Sequence, residues 1–302
     1  MGDGLIQFKK VTKSFGKNVV LNAIDLEITE GKIVGIIGAS GEGKSTILKM
    51  IVSFYKPTKG EIFYKKKNIV KSRKILSKLF GISIEEGSFY ETLSAKENLS
   101  HFGRLYGVKE KVLNHRIGEI LHLIGLEAAE KTLARDLSLG MKKRLDIGCA
   151  LIHNPSILIL DEPTADLDPL LRKQMMGLIK KINSHGTTVI LTTQLLGEAE
   201  EICDEVAILF NEKIIEEGTP ARIKKKYKSS NLDGVFHKIF SDKNRKTYQE
   251  SAEKKTKLKI LEKGKKKKSL ITNSDKIDEL IEKAKEKEDS DSFLEEVKGA
   301  KK

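Results

Sequence analysis

The spacing of apolar and polar positions changes several times along the chain, and each change marks an element. Leu5–Val11 carries apolar residues at a rough period of two. Leu21, Ala23, Leu26 and Ile28 alternate with polar neighbours, so two strands are expected before the turn at Gly31. Ile33–Ile37 then runs apolar without alternation, as do Ile157–Leu160, Thr188–Leu191 and Val206–Phe210. Such runs fit strands buried on both faces of a parallel sheet. Helical stretches separate them, which predicts an α/β core. Between residues 94 and 132 the period is helical throughout, with Leu99, Phe102, Leu105 and Tyr106 on one segment. Val112, Ile117, Ile120, Leu121 and Ile124 line the next. This reads as a helical insertion.

Composition places a boundary. The 302 residues are 39% hydrophobic, below the usual range for a globular chain, and carry a net charge of +13. The deficit sits in residues 241–302, which hold 19 Lys and Arg against 14 Asp and Glu with few aromatic or β-branched residues. Such a segment buries too little apolar area to offset its ordering entropy. The chain therefore divides into a folded unit over 1–240 and a Lys-rich, partly disordered or helical tail over 241–302. Within the tail, Ser274 could cap a short helix over 274–287 with Ile277, Leu280, Ile281 and Ala284 on one face.

The lysines cluster at Lys65–Lys67 and Lys265–Lys268 without interleaved aromatics, which argues against nucleic acid as a partner. They read as a solvated surface, with attraction to anionic lipid, at about 1 kcal/mol per lysine near the surface, as the alternative. No apolar run reaches the ~18 residues of a spanning helix, and the first residues lack the pattern of a signal peptide. Two separated cysteines, Cys149 and Cys203, suggest a reducing compartment and core positions. The six histidines show no metal-ligand spacing.

The sharpest local pattern is Gly38-Ala39-Ser40-Gly41-Glu42-Gly43-Lys44-Ser45-Thr46, a P-loop between a buried strand and the helix-forming Ile47–Ile51. Its glycines let backbone amides converge on an anion at the positive end of the following helix. Lys44 would place a point charge on the β- and γ-phosphates, and Ser45 a hydroxyl on Mg²⁺. Far along the chain, Ile157–Leu160 ends in Asp161-Glu162, two carboxylates at the end of a strand where α/β folds bind ligands. Alternation sends neighbouring side chains in different directions. Asp161 is expected to organise the metal and Glu162 to act as general base.

With these residues placed, roughly residues 5–240 resemble the ATP-binding subunit of ABC transporters. Leu137-Ser138-Leu139-Gly140-Met141-Lys142-Lys143-Arg144 is similar to that family's signature motif. The resemblance implies that Ser138, Leu139, Gly140 and Met141 close over ATP held by the P-loop of an opposing subunit. Pro163–Pro169 resembles the loop that follows the carboxylates, and Phe15 the aromatic that stacks on adenine. The Leu-Gly-Met-Lys signature, Thr192-Thr193-Gln194, Glu198-Ala199-Glu200 and Gly218-Thr219-Pro220 resemble the drug- and antibiotic-exporter subgroup, related to daunorubicin-resistance ATPases.

Two positions depart from the family pattern. Glu85 stands where a glutamine usually contacts Mg²⁺; it remains an oxygen ligand but adds charge near the γ-phosphate. Gln194 stands where the family usually has a histidine; it can donate to the γ-phosphate but cannot titrate.

The resemblance implies a P-loop ATPase core of α/β class, an N-terminal antiparallel β subdomain and a helical subdomain near 86–145. It further implies ATP and Mg²⁺ as cofactors, a homodimer or heterodimer with a second ATP-binding subunit, and a separate transmembrane permease. Location at the cytoplasmic face of the cell membrane and ATP-driven export follow by analogy. The alternatives are a soluble ATPase of the same family that remodels a ribosomal or nucleic-acid partner, and a slow ATP-gated binding module.

Overall fold

Both faces of the central sheet are covered, which is why its strands read as unbroken apolar runs. The computed structural model describes residues 4–72, 77–84 and 87–242. The helix expected over 274–287, residues 243–302 of the tail and Glu85 lie outside them. A six-stranded sheet is built from β3 (Ile33–Ile37), β6 (Phe80–Ser83), β7 (Ile157–Asp161), β8 (Thr188–Thr193), β9 (Glu205–Phe210) and β10 (Lys213–Gly218), in the order β10-β9-β3-β8-β7-β6. β10 runs antiparallel to β9, and the other pairs are parallel.

Side chains from each strand enter two cores in turn. Ile33, Leu158, Leu160, Val189, Leu191, Val206 and Ile208 pack with the helices on one face. Val34, Ile36, Ile157, Ile159, Ile190 and Leu209 pack with α1 (Lys44–Ile51) and a second sheet on the other.

That second sheet is four-stranded and antiparallel, in the order β2-β1-β4-β5, from β1 (Ile6–Phe15), β2 (Asn18–Ile28), β4 (Lys59–Tyr64) and β5 (Lys67–Asn68). Its first hairpin corrects one expectation. Ala23 faces outward at φ 49°, and Ile24 takes the buried place beside Leu21, Leu26 and Ile28. The register between Val11↔Ile24 and Lys13↔Leu21 slips by one, and such a bulge moves every alternating side chain to the other face.

The helical insertion comprises α2 (Ala95–Leu105) and α3 (Glu110–Ile124), which pack on α4 (Leu139–Leu151). α2 opens on a capping box: Ser94 accepts from the Glu97 amide while Glu97 accepts from the Ser94 amide. Leu105 and Val112, expected on the apolar stripes, are exposed; Leu113 instead joins Ile117, Ile120, Leu121 and Ile124 in the core. Adjacent helical positions lie ~100° apart, so at the edge of the apolar stripe Leu113 turns inward while Val112 turns out. Cys149 and Cys203 are both buried. α5 (Pro169–Ser184), α6 (Leu196–Ile202), α7 (Pro220–Lys226) and α8 (Leu232–Asp242) complete the described chain. None of the described helices is long and apolar enough to cross a membrane.

Candidate active site

Three strand ends converge at one place. β3 delivers the P-loop and α1, β7 delivers Asp161 and Glu162, and β8 delivers Thr192 and Gln194. α1 begins on Gly43 at φ 106° with no side-chain cap, so no side chain claims its first-turn amides. Gly43 is required twice over: its φ is left-handed, and a Cβ there would stand 2.8 Å from Val20 Cγ1. Open amides at a helix start, under a backbone that only glycine can adopt, fit a phosphate.

Lys44 is 6% exposed, and its ammonium is held inside the loop. It donates to the Gly38 carbonyl at 3.0 Å and the Ala39 carbonyl at 3.1 Å, and it pairs with Glu162 Oε1 at 3.1 Å. Ser45 Oγ donates to Asp161 Oδ1 at 3.0 Å, and Thr192 Oγ1 donates to the same oxygen at 2.6 Å. Thr192 Oγ1 in turn accepts from the Glu162 amide at 3.0 Å. This hydroxyl therefore holds the Asp161 carboxylate and the Glu162 backbone together, although the sequence marks it only as one of a Thr-Thr pair. Glu162 has a left-handed backbone, φ 47°, and its Oε2 accepts from the Gln194 amide at 3.3 Å. The Ser45 hydroxyl and the Asp161 carboxylate are hard oxygen donors in direct contact, a set suited to Mg²⁺.

Around these groups lies a cleft of about 330 Å³ lined by Val20, Ser40, Gly41, Gly43, Lys44, Ser45, Thr46, Glu162 and Gln194. Val20 comes from β2 of the antiparallel sheet and was not foreseen. Phe15 does not line the cleft. It stands half-exposed, edge-on to Tyr55 at 5.0 Å, with the Lys13 ammonium 4.7 Å above its ring. None of the signature residues lines it either. Ser138 is the N-cap of α4, accepting from the Met141 amide at 3.3 Å; Ser138 and Leu139 are exposed, while Gly140 is buried.

Behind the carboxylates, the Thr164 hydroxyl donates to Glu198 on α6, and Arg172 Nε stands 3.8 Å from the same carboxylate. Burial pushes the Glu198 carboxyl up, while the Thr164 bond and Arg172 oppose it. The loop after β7 is thus tied to the helix that follows Gln194.

Residues 21–165 match the family model described as ABC transporter. The chain is 33% identical over 223 residues to the probable multidrug ABC transporter ATP-binding protein YbhF of Escherichia coli, covering 74% of this chain but only 38% of that protein. It is 34% identical to the lantibiotic transport ATP-binding protein SrtF of Streptococcus pyogenes, covering 80% of this chain and all of that one. It is 30% identical to the daunorubicin resistance ATP-binding protein DrrA3 of Streptomyces coeruleorubidus, covering 78% and 75%. Among solved structures, a dimeric ATP-binding cassette in a post-hydrolysis state bound to ADP and Pi superposes with a TM-score of 0.64 at 28% identity, covering 71% of this chain and 98% of that one.

Proposed function

The chain belongs to the ATP-binding proteins of ABC transporters, and on that premise we propose that it hydrolyses ATP to drive export through a separate membrane-spanning permease. The observation that carries the ATPase reading is the meeting of Lys44, Ser45, Asp161 and Glu162 at the uncapped start of α1. The free amides of the Gly38–Thr46 loop would cradle the phosphates. Lys44 then exchanges the Glu162 carboxylate for phosphate oxygens. Glu162, so released, accepts a proton from the water whose oxygen bonds the γ-phosphorus as the bond to ADP breaks. Ser45 and Asp161 would hold Mg²⁺, with Glu85 as a further oxygen ligand, and the ion would supply positive charge against the phosphates. Gln194 donates to the γ-phosphate, and Phe15 stacks on adenine.

Ser138, Leu139, Gly140 and Met141 belong to the site of a second ATP-binding subunit, a copy of this chain or a relative. The exposure of Ser138 and Leu139 at the capped start of α4, away from the cleft of their own chain, supports that arrangement. So does the dimeric form of the superposable cassette. For the permease, the support is an apolar groove of about 520 Å³ lined by Phe54, Tyr55, Ile82, Phe102 and Tyr106, between the core and the helical insertion. The names of YbhF, SrtF and DrrA3 favour drug or antibiotic cargo. The chain would work at the cytoplasmic face of the membrane, with the lysines of 241–270 against anionic lipid.

The test is twofold. The purified chain should hydrolyse ATP, with Glu162→Gln losing that activity while still binding ATP. The native protein isolated in mild detergent should bring a multi-spanning membrane protein in stoichiometric amount; ribosomal proteins or nucleic acid in its place would overturn the transport reading.

A further inference from the structure

Helix α4, which begins at the signature, carries a buried aspartate midway along its length. Asp146 is 1% exposed, and a carboxylate at that depth is costly unless its oxygens are met. Both are met. One oxygen accepts from the Ser83 hydroxyl and the other from the Ser88 amide at 2.6 Å. Burial pushes its carboxyl up, while those two bonds and the Lys143 charge oppose it.

Ser83 ends β6 and lies in register with Leu160, the residue before Asp161. The bond therefore ties α4 to the sheet at the level of the metal-binding carboxylate. The helix lies close on this strand elsewhere too. A Cβ on Gly81 would stand 2.2 Å from the Ala150 carbonyl, and His153 Nε2, just past the end of α4, contacts the Phe80 carbonyl at 3.1 Å. The C-terminal half of α4 is thus laid on β6 at Phe80, Gly81 and Ser83. Its N-terminal half projects about 12 Å further, at ~1.5 Å per residue, to Ser138. An apolar side chain at 146 would fill the space; a carboxylate adds a two-point, directional attachment.

We propose that Asp146 is a positioning residue: through Ser83 and Ser88 it sets the direction in which α4 projects Ser138 from the sheet that carries Asp161 and Glu162. In the dimer this fixes how one subunit's signature meets the other's nucleotide. The inference rests on the ATPase reading above.

The test measures ATP hydrolysis and equilibrium ATP affinity for the full chain and for Asp146→Ala, Asp146→Asn, Ser83→Ala and the double variant Ser83→Ala/Asp146→Ala. Asparagine keeps an oxygen for the Ser88 amide and can donate to Ser83 Oγ, so it preserves both attachments. Asp146→Ala should lower kcat about tenfold with ATP affinity held within about twofold, because no P-loop group touches it. Asp146→Asn should restore most of that rate. Ser83→Ala should lower kcat about threefold at unchanged affinity, and the double variant should be no slower than Asp146→Ala alone.

If Asp146→Ala fails to fold, the other two single variants decide the matter: Ser83→Ala must be slower than Asp146→Asn at equal affinity. Equal rates for Ser83→Ala and the unaltered chain, or losses of kcat that merely track loss of folded protein, overturn the proposal. An unaltered chain that hydrolyses no ATP overturns the ATPase reading and this inference with it; an active chain with silent variants overturns the inference alone.

Discussion

Two helix starts in this molecule carry the proposed chemistry, and they are built in opposite ways. α1 begins on Gly43 without a side-chain cap and beside a buried lysine, with two carboxylates and a threonine hydroxyl hydrogen-bonded around it. α4 begins on Ser138, whose side chain caps the Met141 amide, and presents Leu139 to solvent at 47% exposure. The first is surrounded by its own chain; the second exposes Ser138 and Leu139, while its helix is held to the sheet through Asp146. A site whose backbone donors are open at the bottom of a cleft is preorganised for a small anion. A capped helix start on the surface is preorganised for a neighbour. The difference is what the proposed dimer requires, in which one chain would supply two half-sites of unequal completeness.

Substitutions can break that comparison in graded steps. The largest effect is expected at Lys44. Lys44→Ala should lower ATP hydrolysis by about a thousandfold or more and weaken ATP binding as well, since the charge serves both bound states. An assay showing ATP affinity unchanged would move Lys44 out of phosphate contact. Next comes Glu162→Gln, which should cost about a hundred- to a thousandfold in kcat while ATP still binds tightly. Persistence of basal turnover would remove Glu162 as the base.

Thr192→Val should cost less, about tenfold in kcat, because it releases one Asp161 oxygen and the Glu162 amide but leaves both carboxylates in place. Unaltered kinetics would show that these two bonds do not set the geometry of the site.

The smallest effect concerns the rear of α4. His153 lies stacked on Tyr106 at 3.8 Å, and its pKa is lowered from 6.5, chiefly by burial and further by Arg116, against the opposing bond to Phe80. The folded chain therefore takes up this proton less readily than the unfolded chain. Its contribution to stability is whole above pH 6.5 and is lost as the pH falls from 6.5 towards the lowered value. Melting temperatures from about pH 7.5 to about pH 5.5 should fall less steeply for His153→Gln than for the unaltered chain. Parallel slopes would count against it.

Much of the α1 half was legible because it is local. The P-loop spacing, the continuous runs of β3 and β7 and the Asp-Glu pair are contiguous segments whose chemistry follows from residue type. What was not legible depends on pairing across the chain. Thr192 reaches Asp161 only because β8 lies beside β7, and Val20 reaches the cleft only because the antiparallel sheet packs on α1. Ala23 was misplaced because two strands slip register, which no single-strand pattern records. Asp146 gives no signal in the sequence because its place depends on α4 lying against β6. Leu105 and Val112 fit a helical period but sit at the margins of their stripes, where one step of ~100° turns a side chain outward.

The central claim, that the signature of one chain completes the P-loop site of another, is tested most directly by sedimentation of the Glu162→Gln chain with and without MgATP. The chain should be a monomer without nucleotide and a dimer with it, and adding Ser138→Arg should abolish the dimer while ATP still binds each chain. A dimer that forms equally well with arginine at 138, or a chain that stays monomeric at saturating ATP, would contradict it.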